Sequence, residues 1–73
     1  MTLKDLSPGQ QGKVASISTT GAMKRRIMDM GVTPGVVVKV IKVAPLGDPI
    51  EVNVRGYELS LRKDEAAQVQ IEL

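Results

Sequence analysis

Ile50-Glu51-Val52-Asn53-Val54-Arg55-Gly56-Tyr57-Glu58-Leu59-Ser60-Leu61 decides the fold. Apolar and polar residues alternate through it twice, with Arg55-Gly56 between the two runs. A period of two puts Ile50, Val52 and Val54 on one face of a strand, and Tyr57, Leu59 and Leu61 on one face of the next. Two residues ending in glycine close a tight hairpin. Val54 and Tyr57 flank the turn, so they pair and the two apolar faces coincide.

Three further strands follow from the same reasoning. Val69, Ile71 and Leu73 mark a last strand over Gln68–Glu72, and Gly12–Ile17 reads as the first. Val36, Val38 and Val40 keep one phase, whereas Ile41 and Val43 keep the other, with Lys39 and Lys42 outside. That slip predicts a bulge near Val40-Ile41 in a strand over Val36–Val43. Bent strands of this kind let five short strands close into a small barrel. Two similar turns launch strands: Leu6-Ser7-Pro8-Gly9 and Val32-Thr33-Pro34-Gly35. Pro followed by Gly is the signature of a type II turn. Gly9-x-x-Gly12 is explained by turn geometry at the strand entrance.

Between the first and second strands, Met23, Ile27 and Met30 recur at i, i+4 and i+7, which predicts a short helix over Gly21–Met30. Thr19 or Thr20 can cap its start, and Gly31 can supply the left-handed residue after its end. The fold expected is mainly β: a small SH3-like barrel of about five strands, with one short helix after the first strand, in a single domain over 1–73.

Composition narrows the chemistry. A chain of 73 residues makes one small core, which supplies only about 3–5 kcal/mol. Cys, His, Trp and Phe are all absent, so the core is aliphatic and no disulfide staples it. Transition-metal ligation would rest on carboxylates alone, a poor match. Ser and Thr have no His or Cys base beside them, so no nucleophilic site is expected and the chain reads as a non-enzyme. Ten basic against eight acidic residues leave a net charge of +2, too balanced to imply a nucleic-acid partner. The first residues carry no apolar signal-like run, and Val36-Val37-Val38 is the longest apolar stretch, so no membrane insertion is expected. Asp48 and Glu51 could face a hard cation, but Ca²⁺ takes about six or more oxygens, and Asp48 reads as a loop builder. No cofactor or metal ligand is assigned.

The helix and the corner after it stand out from this background. Arg26 and Asp29 sit at i and i+3, close enough to pair. Asp29 lies in the last helical turn, where the helix dipole disfavours an anion, so Arg26 or a basic group across the fold should offset it. Met28 projects away from the Met23–Ile27–Met30 face, either under a loop or as an exposed apolar contact ringed by Lys24, Arg25 and Asp29.

Taken in order, Arg26-x-x-Asp29-Met30-Gly31-Val32-x-Pro34-Gly35, Ala44-Pro45-Leu46-Gly47-Asp48-Pro49, Val52-x-Val54-x-Gly56-Tyr57-x-Leu59-x-Leu61-Arg62 and Glu65-Ala66 closely resemble the FeoA family, ferrous iron transport protein A. The resemblance runs nearly the full length. It implies an SH3-like barrel and a cytoplasmic accessory or regulatory protein of bacterial ferrous iron uptake. The implied partner is the ferrous iron permease, a membrane GTP-binding transporter, met through its cytosolic domain and at the inner face of the membrane. The expected contact residues are Lys24, Arg25, Met28, Asp29 and Thr33, while Arg26, Gly31, Pro34 and Gly35 hold the corner. An arginine offered in trans to the permease's GTP site, Arg25 or Arg26, is a further expectation by analogy. Weak self-association is compatible with this reading. The competing reading is a ribosomal-type SH3-like RNA binder using Lys39, Lys42, Arg55, Arg62 and Lys63, disfavoured by the lack of a stacking platform.

Overall fold

In the computed structural model, which describes residues 1–73, five antiparallel strands make one sheet. They are β1 (Gln11–Ile17), β2 (Val37–Val43), β3 (Ile50–Val54), β4 (Tyr57–Leu61) and β5 (Val69–Glu72), ordered β4-β3-β2-β1-β5. Helix α1 (Gly21–Asp29) joins β1 to β2, and a one-turn helix, α2 (Lys63–Ala66), joins β4 to β5. A 3-10 turn at Leu3–Asp5 precedes β1. The five strands and α1 lie where the sequence puts them, within two residues. The short α2 and the 3-10 turn are additions, because one turn is too brief to show a helical period. No helix is long and apolar enough to cross a membrane.

The β3–β4 hairpin follows its two-residue loop. Arg55 and Gly56 have φ of 53° and 85°, the left-handed pair that a type I′ turn requires. Asn53 Oδ1 accepts the Gly56 N–H at 3.3 Å. Val54 and Tyr57 pair as expected, but their burial differs: Val54 is 2% exposed and Tyr57 73%. β4 has a neighbour on one side only, so alternation there does not bring core burial to the strand's first residue.

Register breaks between Val40 and Lys42 on β2, where the phase slip lies, and again between Val14 and Ser16 on β1. Bulges bend a strand and increase its twist. Sixteen buried aliphatic side chains then share one core, with Leu3, Val14, Ile27, Val38, Val52, Leu61 and Val69 among its fully buried members.

Both Pro-Gly turns form. Gln10 N–H donates to Ser7 O at 3.0 Å and Val36 N–H to Thr33 O at 3.2 Å. Gly9 and Gly35 take φ of 90° and 94°, as the third position of a type II turn demands. Gly12 is different from the expectation. It lies within β1, and a Cβ there would run into the Cγ2 of Ile71. Close strand packing, not turn geometry, is what requires glycine at 12.

Candidate partner-binding face

Three devices hold α1 against the sheet. Its inward stripe is the first: Ile27 is fully buried, and Met23 and Met30 pack partly against the core. The second is its ending. Gly31 has φ of 96°; its N–H donates to Met28 O at 2.9 Å, and Val32 N–H reaches Ile27 O at 3.4 Å. That 5→2 and 6→1 pair is a Schellman stop, and both Ile27 and Val32 are buried in the common core. The third is the corner. Val14 on β1 donates to Val36 O and accepts from Gly35 N–H, both at 2.8 Å. Gly31 and Gly35 thus take left-handed backbone at the two turns where the chain leaves the helix for β2.

The start of α1 is looser. Thr20 occupies the N-cap position with extended backbone, yet its side chain caps nothing, and Thr19 Oγ1 turns to Thr20 O at 3.5 Å. Neither threonine supplies the cap that the sequence suggested.

Arg26 does not pair with Asp29. Its Nε lies 3.0 Å from Glu65 Oε2 on α2. Glu65 is 3% exposed and its other oxygen, Oε1, accepts the Arg62 N–H at 2.9 Å. A buried carboxylate that also caps a helix outcompetes an exposed one for the guanidinium, because the alternative is a buried charge without a partner. Arg26 and Glu65 both line a cleft of about 220 Å³, together with Ala22, Met23, Arg62 and Asp64. Sequence reasoning missed Glu65: its carboxylate caps the Arg62 N–H three residues back, but Arg62 has no acceptor to return the bond, so no Ser/Thr-x-x-Glu signature marks the start of α2.

Asp29 is left exposed at the dipole-disfavoured end with no cation within 4.0 Å, since the ion pairs present are Arg26–Glu65 and Lys42–Glu51. Lys24 and Arg25 are likewise exposed and free of ion pairs. Thr33 is half-buried in the corner. Met28 is half-buried and packs against the core, so only part of it faces outward. The outward set on α1 is therefore Lys24, Arg25 and Asp29, with Met28 and Thr33 at its margin.

The other proposed groups are dispersed or engaged. Asp48 Oδ1 accepts the Lys63 N–H at 3.1 Å, tying the 44–49 loop to the start of α2. Glu51 Oε1 lies 3.9 Å from Lys42 Nζ. No three His, Cys, Asp or Glu side chains gather as a metal site. Lys39 and Lys42 stand on β2, Arg55 in the hairpin turn, and Arg62 and Lys63 at the start of α2.

The model of the FeoA domain matches residues 1–73, the whole chain. The chain belongs to the FeoA family. It is 34% identical, over all 73 residues, to a Porphyromonas gingivalis protein that fuses Fe(2+) transport protein A to the Fe(2+) transporter FeoB. The chain spans 9% of that relative's length. The solution structure of the FeoA protein from Chlorobium tepidum superposes with a TM-score of 0.91 at 41% identity, covering 100% of this chain and 70% of that one. Stenotrophomonas maltophilia FeoA, crystallised with zinc and described as a procaryotic SH3 domain protein, superposes with a TM-score of 0.85 at 29% identity, covering 99% of this chain and 89% of that one. Membership in the family links this FeoA domain to ferrous iron transport, and its five-stranded fold is the SH3-like one.

Proposed function

We propose that this chain is a non-enzymatic accessory protein that docks on the cytosolic part of a ferrous iron permease and regulates or assembles it. The observation that carries the reading is the fused relative, in which the same domain and the transporter share one polypeptide. Covalent fusion holds two modules at a high effective concentration, which favours contact between them. The chain works in the cytoplasm and reaches the inner face of the membrane through that partner.

The docking face is the outer side of α1 and its corner: Lys24, Arg25 and Asp29, with Met28 and Thr33 at the margin. Three charges without intramolecular partners on a rigidly stopped helix are free to complement charges across an interface. Arg26 is committed to Glu65, so an arginine offered in trans would be Arg25.

The test is a binding titration between this protein and the purified cytosolic domain of a ferrous iron permease, with and without a GTP analogue. Lys24→Glu/Arg25→Glu should weaken binding at least about tenfold, a coupling of about 1.4 kcal/mol. Unchanged binding by that variant moves the interface off α1. No binding by the parent chain in either nucleotide state removes the accessory role itself.

A further inference from the structure

The sheet has two edges, and the chain treats them differently. Beside β5 the N-terminal residues cover the edge: Thr2 bridges Gln70, and Ile71 N–H donates to Met1 O at 2.8 Å. On the far side, β4 pairs with β3 alone. The two-residue turn makes Val54–Tyr57 a hydrogen-bonded pair, and with it Val52–Leu59 and Ile50–Leu61. The N–H and C=O groups of Glu58 and Ser60 therefore point out of the sheet, and no backbone bond elsewhere in the chain takes them up. β4 carries no proline, lysine or bulge, and Glu58 is the one charge on this five-residue edge.

Its side chains say what would fit there. Glu58 and Ser60 share a face with Glu51, the β3 partner of Ser60, and with Leu59 they line a shallow depression of about 200 Å³. Glu58 has no cation within 4.0 Å, and Lys42 stands only at 3.9 Å from Glu51. The opposite phase presents Tyr57, 73% exposed, and the half-buried Leu59. A strand laid on this edge meets carboxylates on one face and apolar surface on the other.

We propose that the β4 edge is a docking site for an extended segment of a partner protein in which Lys or Arg alternates with apolar residues, added as a sixth strand. Main-chain bonds to Glu58 and Ser60 would hold it, and its cations would face Glu58 and Glu51. A second copy of this chain is the poorer occupant, because β4 against β4 gathers the Glu58 and Glu51 carboxylates of both copies on one face. The site is separate from the outer side of α1 and does not depend on the transporter reading.

The probe is a capped hexapeptide of alternating lysine and valine, titrated into the full chain and followed by heteronuclear NMR. Shifts should concentrate on 57–61, and exchange of the Glu58 and Ser60 amides should slow by about tenfold or more as they become bonded. Peptide N-methylated at its lysines loses the N–H groups that face β4 and should bind about tenfold more weakly, whereas N-methylation at the valines should not. Glu58→Lys should weaken binding to a similar degree. Equal binding of a glutamate–valine peptide, shifts centred elsewhere, or no shifts at millimolar peptide would overturn the proposal. So would a dimer in sedimentation that Glu58→Lys alters, since that assigns the edge to a second copy.

Discussion

Arg26 Nε stands 3.0 Å from Glu65 Oε2, and this pair ties α1 to α2 across the loops that leave the sheet. One partner is 58% exposed and the other 3%. Such an asymmetric pair is worth more to the fold than an exposed one, because its loss leaves a buried carboxylate with one partner fewer.

Arg26→Ala should therefore lower stability by about 1–3 kcal/mol in urea unfolding, the range for stranding a buried polar group. Glu65→Ala should cost at least as much, since it also removes the acceptor of the Arg62 N–H. A double variant close to the sum of the two would show that the residues act independently; a clear shortfall is expected for partners in contact.

Asp29 makes the opposite prediction. It is an exposed anion in the last turn of α1 with no cation at hand. Asp29→Lys should raise stability by about 0.3–1 kcal/mol at low ionic strength, and the gain should shrink with added salt. If the outer side of α1 is the interface, the same substitution should weaken permease binding while stabilising the free protein.

Gly12→Ala should destabilise by about 1–3 kcal/mol, the range for forcing an extra carbon into a packed core. The new Cβ meets Ile71 Cγ2, with Glu72 O and Leu73 Cδ2 both at 3.3 Å, so β5 must move. Ile71→Ala removes that Cγ2, so Gly12→Ala should cost less in an Ile71→Ala background than in the parent chain; thermal unfolding of the single and double variants measures it.

Asp5 sets a pH dependence at the acid end. The Thr2 N–H donates to its Oδ2 at 2.9 Å and holds the carboxyl below its ordinary value of 3.8. Folding thus favours the charged form. Its contribution is fully present above pH 3.8 and falls away as pH drops through the lowered folded value. Asp5→Asn should flatten that part of the stability profile, lying slightly below the parent at neutral pH and converging with it in acid. Because Asp5 is exposed, the effect should be small, and denaturant midpoints measured across the acid range would resolve it.

Local pattern determined much of this protein. The Arg55-Gly56 turn, both Pro-Gly turns, the stop at Gly31 and the slip at Val40-Ile41 are each written in adjacent residues, because backbone conformation there depends on glycine, proline and the period of apolar side chains. The ordered motifs sufficed to recognise the family, and the exposure of Lys24, Arg25 and Asp29 on α1 followed from helical spacing. Three things were decided only by the tertiary structure. Arg26 chose Glu65, far along the chain, over Asp29 three residues away, because burial raises the cost of leaving Glu65 unpaired. Gly12 is required by β5 packing against β1, a contact between opposite ends of the sequence. Tyr57 is exposed because β4 ends the sheet while the N-terminal residues cover the other edge, and alternation within a strand carries no information about which strand has a neighbour.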